Sequence, residues 1–407
     1  MVFTRKTKKI FVLAVPALFL GWLVSAATTS PSPRTVPADY RPLYQELEGE
    51  LNRAEGSLSR LWNGQKGPTA FAVELLAANS HQGEILLRPE TFEGILLTLD
   101  RLKELGIQGI SLGIMYPVLK PSFPRAADYL DFYKRIAGEI KKRGFTLIIE
   151  TTTLFPDPEF GVLKWDYRGM TLEQYKQEKR RMTETVIREL RPDFLTIDSE
   201  PLTQQRNTGV NLSVKHYTEV IQFVLQDLDR GPVRLGAGAG TWDDLSYFKN
   251  LAEQTSLDYL DLHIYPLQRD FLIDRTQRIA ELAKAHHKAL SVGETWLYKA
   301  AEREFAGLQA VQPQIFARDV FDFWIPLDQR FLELMVKFSH HFRMKFCSFF
   351  WMRYLYGYVE YGETTRNLPP SRLFQLANRR AYGNLLRNIP TPTGLTLKRL
   401  LSEHGNP

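Results

Sequence analysis

The sequence predicts a (β/α)₈ barrel, a single domain over residues 43–407 behind a leader and a short linker. Two observations predict it. An apolar or β-branched run recurs eight times between residues 69 and 354, and an amphipathic stretch of helical period separates most runs from the next. Eight such units fit a closed parallel barrel in number and length. A third observation weighs against a doubly wound open sheet: no glycine-rich phosphate loop follows the first run.

The elements follow in order. "TRKTKK" (4–9) is basic, 10–26 is a nearly unbroken apolar run, and "VSAA" (24–27) supplies small residues after it. This is the pattern of a secretory signal. The apolar run is also almost long enough to cross a bilayer, so a cleaved signal peptide and an uncleaved anchor are both open over 1–27. Either places the rest of the chain outside the cytoplasm, as a secreted, periplasmic or membrane-anchored protein. Residues 28–42, rich in proline and small polar residues, read as a linker. Leu43, Leu47 and Leu51 recur at helical spacing and predict a docking helix ending near Trp62.

The eight strand runs are 69–77, 109–116, 145–153, 193–200, 233–240, 259–266, 289–296 and 346–354. Helical periodicity falls over 92–105, 126–142, 172–190, 214–228, 245–252, 271–285, 331–342 and 373–386. Gly144, Pro192 and Gly231 stand where helices should stop. "GAGAG" (236–240) lacks the third glycine of a dinucleotide loop and reads as close packing within the barrel.

Charge and cysteine usage narrow the function. The net charge is +6, and Arg5, Lys6, Lys8 and Lys9 of the leader supply four of those charges. The small balance left gives no electrostatic footprint for nucleic acid. Cys347 is the only cysteine, which excludes intramolecular disulfides and cysteine-based zinc sites.

In a barrel of this kind the chemistry sits at the C-terminal ends of the strands. Those ends read Tyr116, Glu150, Glu200, Trp242, His263 with Tyr265, Glu294 with Trp296, and Trp351. Acids and flat rings together suit a carbohydrate site, where carboxylates do the chemistry and rings stack on sugar faces. Glu200 and Glu294 end runs four and seven and can converge over the mouth as a general acid and a nucleophile. Thr196, Asp198 and Glu200 alternate and should share one strand face. Asp198 and Glu150 would then raise the Glu200 pKa; equally, Asp198 can pair with a buried arginine and Glu150 can cap the turn after it.

"IDSEP" (197–201) and "VGETW" (292–296) resemble the two catalytic strand ends of glycoside hydrolase clan A. The resemblance implies a retaining O-glycosidase with Glu200 as acid/base and Glu294 as nucleophile, acting on a poly- or oligosaccharide. "LHIYP" (262–266) resembles the strand-six element whose ring supports the nucleophile, which is His263 or Tyr265. "FFWM" (349–352) resembles the strand-eight tryptophan that floors the sugar subsite, here Trp351. Two positions depart from the pattern. The clan's asparagine before the acid/base is Ser199 here, and the arginine that usually ends strand two has no counterpart.

The substrate-binding set expected beside the two glutamates is therefore Glu150, Ser199, Trp242, His263, Tyr265, Trp296 and Trp351. No cofactor or metal is expected, since His263 is the lone strand-end histidine and His81 lacks a close histidine partner. No G-x-S-x-G elbow points to a serine hydrolase. Membrane contact would come only through an uncleaved leader. The competing reading is a membrane-tethered, non-catalytic carbohydrate-binding barrel. The aromatic connection 297–327 walls the groove or packs onto the barrel, and both fit its composition.

Overall fold

The computed structural model describes residues 35–405 apart from 157–161, 266, 268–270 and 308–311. Its eight strands are β1 (Ala70–Glu74), β2 (Gly109–Tyr116), β3 (Thr146–Thr153), β4 (Phe194–Thr196), β5 (Arg234–Gly240), β6 (Tyr259–Ile264), β7 (Ala289–Thr295) and β8 (Phe346–Phe349). All pairings are parallel, and β1 pairs with both β2 and β8, so the sheet closes into a (β/α)₈ barrel. The leader 1–27 and linker residues 28–34 lie outside the described residues. Among the described residues no helix is long and apolar enough to cross a membrane.

The helices are α1 (Arg41–Leu61), α2 (Pro89–Glu104), α3 (Ala126–Lys142), α4 (Leu172–Leu190), α5 (Pro201–Thr208), α6 (Val214–Leu225), α7 (Leu245–Gln254), α8 (Thr276–Ala285), α9 (Gln312–Arg318), α10 (Ile325–His341), α11 (Pro370–Arg387) and α12 (Pro392–His404). α1 is the docking helix. Its Leu43, Leu47, Leu51 and Leu58 are buried, and Tyr44 stacks on Trp324 at 5.7 Å. The linker's last residues fold as well: Ala38–Tyr40 make a 3₁₀ turn, and the Tyr40 ring packs against Phe323 at 5.1 Å. α4 starts at a capping box, in which Thr171 accepts the Gln174 N–H and the Gln174 side chain accepts the Thr171 N–H.

Inside the barrel the side chains form layers. Ala72, Ile148, Tyr259 and Phe346 pack together as an apolar layer, flanked by Ala70, Phe194 and Ala289. Tyr259 fits because Gly236 has no side chain; a Cβ there would lie 2.1 Å from its ring. The next layer toward the C-terminal mouth is polar. Parallel register partners share a face, and the pairs Glu74 with Ser111, Glu150 with Thr196, and Asp261 with Ser291 all point inward. Ser348, paired with Ala72, faces inward too. Each of these side chains is buried.

Candidate active site

Above the polar layer sit Glu200, His263, Tyr265 and Glu294. Two local features of the backbone aim the glutamates. β4 stops at Thr196, and Glu200 takes a left-handed conformation (φ 49°, ψ 65°) just ahead of Pro201 and α5. On β7, Val292 pairs with Leu262 but Glu294 pairs with His263, so Gly293 is an extra residue. That bulge turns Glu294 onto the inner face, where strict alternation from Ser291 would have sent it outward.

A carboxylate oxygen of Glu200, a ring nitrogen of His263 and a carboxylate oxygen of Glu294 all lie within 4.8 Å of one another. Each carboxylate has its own ring partner. Tyr265 donates its hydroxyl to Glu294 Oε2 at 2.6 Å, while His263 Nδ1 lies 2.9 Å from Glu200 Oε1 and 3.8 Å from Glu294 Oε2. Of the two residues the sequence left open, Tyr265 is thus the one bonded to Glu294. Thr203, one turn into α5, donates to Glu200 Oε2 at 2.8 Å. The two glutamate side chains are 19% and 22% exposed, so the pair faces the mouth.

The electrostatics of the pair are unequal. Burial favours the neutral form of Glu200, but the hydrogen bond and charge of His263, with the Thr203 hydroxyl, bring its pKa below the usual carboxylate range. Burial, reinforced by the charges of Glu150 and Glu200, pushes Glu294 up to about 7 despite His263. Burial alone would discharge His263, yet the surrounding Glu294, Glu150 and Glu200 hold its pKa well above the ordinary value. Asp243, next to Trp242 in sequence, is pushed up to about 7 by burial and the charge of Glu200.

The other expected site residues divide. Trp242 and Tyr265 are partly exposed, and their rings meet at 6.1 Å. Trp351 is only 8% exposed, packed against Phe350 at 4.4 Å and Phe316 at 5.5 Å. The more open strand-eight ring is Phe350, edge-on to Tyr265 at 6.0 Å. Alternation from Phe346 and Ser348 points to Phe350, and the sequence reading passed over it.

Three expectations need correction. Trp296 is 1% exposed and packs against Tyr354 at 5.8 Å, so it offers no face to a sugar. Glu150 does not end its strand; β3 runs on to Thr153, which leaves Glu150 beneath the mouth and 4% exposed. Ser199 is buried as well: its N–H donates to Asp198 and its carbonyl accepts from Gln204. None of the three is placed to touch a substrate in the mouth, and His263, expected to bind substrate as well, is 1% exposed and meets Glu200 instead.

Asp198 does not share a face with Glu200, because the alternation ends with the strand. It turns to α4, where Lys179 Nζ lies 3.1 Å from Oδ1 and the Tyr175 hydroxyl donates to Oδ2 at 2.5 Å. Its partner is a buried lysine, where the sequence suggested an arginine. The connection after β7 is also largely packed down: Tyr298, Phe321, Phe323 and Trp324 are buried. A cavity of about 330 Å³ beside α4 is lined by Tyr116, Lys120, Glu178 and Arg181 among others, and by neither glutamate of the pair.

Two groups have the spacing of metal ligands: Glu200 with His263 and Glu294, and Glu150 with Asp261 and His263. The first also has the parts for glycosyl transfer. Two carboxylates converge at an open mouth, one bonded to a phenol and the other to an imidazole, with partly exposed rings beside them.

No family model matches the chain, and no curated protein matches it by sequence. Solved structures do share its fold. GH5_18 from Bifidobacterium longum subsp. longum aligns with a TM-score of 0.50 and 11% identity, over 83% of this chain and 80% of that one. A variant of the same protein in complex with Manβ1-4GlcNAc aligns with the same score and identity, over 83% and 78%. At that identity the likeness is one of fold, that of a (β/α)₈ barrel.

Proposed function

We propose that this protein is a retaining O-glycosidase acting outside the cytoplasm on a poly- or oligosaccharide. Glu294 attacks the anomeric carbon; Glu200 protonates the departing oxygen and then takes the proton of the incoming water. The observation that carries this reading is the separation of the pair. Retaining enzymes place their carboxyl groups about 5–5.5 Å apart, whereas inverting ones need about 6.5–9.5 Å to admit a water. Oxygens within 4.8 Å support the former. Tyr265 holds Glu294 in line for attack, and Trp242 and Phe350 offer ring faces to the sugar. The solved GH5_18 variant, in complex with Manβ1-4GlcNAc, supports an oligosaccharide as the ligand of a barrel of this fold. The leader carries the chain across the membrane, no cofactor enters the reaction, and nucleic acid is not a partner.

One observation favours the non-catalytic carbohydrate-binding reading. Glu294 is held at about 7 while Glu200 is lowered, the reverse of what a nucleophile and an acid require before reaction. Kinetics of Glu200→Ala separate the two readings. Without its acid, a retaining enzyme strands natural leaving groups but still releases activated aryl groups. Glu200→Ala should therefore spare the glycosylation step on aryl glycosides far more than turnover of oligosaccharides. Equal losses on both would remove Glu200 as the acid, and a wild-type chain that binds oligosaccharides without cleaving them would establish the binding reading.

A further inference from the structure

The polar layer beneath the glutamate pair contains more buried carboxylate oxygens than the chain supplies with hydrogen-bond partners. Glu150 is 4% exposed, and neither of its carboxylate oxygens has a hydrogen-bond partner among the described residues. Asp261 is fully buried; Oδ2 accepts from Thr196 at 3.0 Å, but Oδ1 has no partner. The hydroxyl of Ser291, the register partner of Asp261, is fully buried and also unpartnered. Among the described residues, His263 is the only cationic side chain within ion-pair distance of Glu150 or Asp261. Its Nδ1 is already committed to Glu200. Its Nε2 lies 3.3 Å from Glu150 Oε2 and 3.9 Å from Asp261 Oδ2, without the alignment of a hydrogen bond to either.

We infer that Glu150, Asp261 and His263 form a binding site for one divalent transition-metal ion, zinc or manganese, inside the barrel beneath the glutamate pair. One atom from each residue lies within 4.8 Å of the others, so a single ion can reach all three. Two oxygens and one imidazole nitrogen suit zinc or manganese better than calcium or magnesium, which take oxygen donors. Metal-bound histidines usually give their other N–H to a carboxylate, which fixes the ring, and Glu200 fills that place here. Gly293 keeps the space clear. A Cβ at that position would lie 2.4 Å from Asp261 Oδ2 and 2.5 Å from Glu150 Oε1, the two oxygens that converge over it.

The ion would offset the two buried carboxylates and hold His263 against Glu200, so it acts as a positioning element below the reacting groups. The ligands come from β3 and β6, more than a hundred residues apart in sequence, with no motif to join them.

The test uses the full chain without an affinity tag, stripped with a chelator and titrated with Zn²⁺ or Mn²⁺ by calorimetry. Metal content is measured by mass spectrometry after desalting. One ion per chain is expected, with affinity falling at least about 10–100-fold in Asp261→Asn and in Glu150→Gln. Gly293→Ala should block uptake by filling the approach. Co²⁺ in the wild type should give visible bands of a nitrogen- and oxygen-ligated site, absent from Asp261→Asn. If one variant fails to fold, the other and the cobalt spectrum of the wild type decide. A wild-type chain that takes up none of these ions overturns the proposal and leaves a layer of ordered water. Undiminished uptake by Glu150→Gln and Asp261→Asn overturns it too, since the ion then sits elsewhere. Glu294→Gln should bind the ion like the wild type whatever its turnover, so failure here is separate from failure of the glycosidase reading.

Discussion

Two buried charge clusters sit on opposite faces of the barrel wall, and only one is complete. On the outer face, Asp198 is fully buried and both of its carboxylate oxygens have partners: Oδ1 faces Lys179 and accepts the Ser199 N–H, and Oδ2 accepts from Tyr175. Lys179 in turn donates to the carbonyls of Thr151 and Ile197 at 2.7 and 3.3 Å. On the inner face, Glu150 and Asp261 are buried to the same degree but leave oxygens unmet, and Glu74, bonded to Asn79, leaves Oε2 unmet as well. A buried charge is tolerated when it is paired and bonded. The outer cluster is therefore a strut that ties α4 to the end of β4, while the inner one is left incomplete for something that binds. Burial alone does not distinguish strut from site; the count of unmet groups does.

The largest expected effect lies at the pair itself. Glu294→Gln should lower turnover by at least about 10⁴-fold, the scale on which removal of a nucleophile is felt, with thermal stability kept within about 1 kcal/mol of the wild type, as for an isosteric change at a partly exposed group. Steady-state kinetics beside a melting curve measures both, and a variant that loses stability as well would assign Glu294 to the scaffold. Lys179→Met should do the reverse. Removing one partner strands Asp198 in the wall, at a cost of about 3–5 kcal/mol, and Asp198→Asn in the same chain should recover part of it. Denaturant titration of the two single variants and the double variant gives the coupling. Additive losses would show that the pair is not a unit.

A smaller effect is expected from Tyr265→Phe. The phenol makes a charge-assisted hydrogen bond to Glu294, and such bonds contribute roughly 1.5–3 kcal/mol, or about 10–100-fold in kcat. An unchanged kcat with a raised KM would make Tyr265 a sugar contact instead of a support for the nucleophile.

The barrel was legible because its signals are periodic. Eight apolar runs and the helices between them survive small errors at their boundaries, and α3 and α4 fall on the expected residues. The sequence reading passed over α12, although Thr391 caps it, Pro392 opens it, and Leu397, Leu400 and Leu401 keep helical spacing. The candidate site is legible in residue type but not in direction. Glu200 and Glu294 were found as strand-end acids, yet what aims them is a left-handed backbone step and a bulge at Gly293. Neither leaves a mark on the alternation pattern. Asp198, two residues past β4, and Trp296, one past β7, take directions that counting along the strand does not give. Glu150 failed differently, because β3 runs three residues beyond it and takes the mouth higher.

A third cluster lies between the two extremes and gives the finest test of the comparison. Lys299, Asp319 and Asp328 are all fully buried, so one ammonium serves two carboxylates. Asp328 is the better satisfied, bonded to Lys299 and to the Tyr358 hydroxyl at 2.8 Å. Asp319 lies 3.2 Å from Lys299, and neither of its oxygens has a hydrogen-bond partner among the described residues. Burial, with the charge of Asp328, accordingly pushes the Asp319 carboxyl up to about 7 against the pull of Lys299. An acid whose pKa is higher folded than unfolded binds more protons in the folded state between the two values. Its contribution is therefore present in full below the unfolded value, near 4, and is lost as pH rises toward 7. The rise of about three pKa units, in which the pull of Lys299 is already contained, bounds the loss at about 4 kcal/mol. Asp319→Asn cannot ionise, so its melting temperature should vary less between pH 4 and 7 than that of the wild type. If the wild type instead gains stability over that window relative to the variant, Asp319 is ionised and paired like Asp198. The cluster would then count as a second strut, and unmet oxygens would cease to be a guide to function in this barrel.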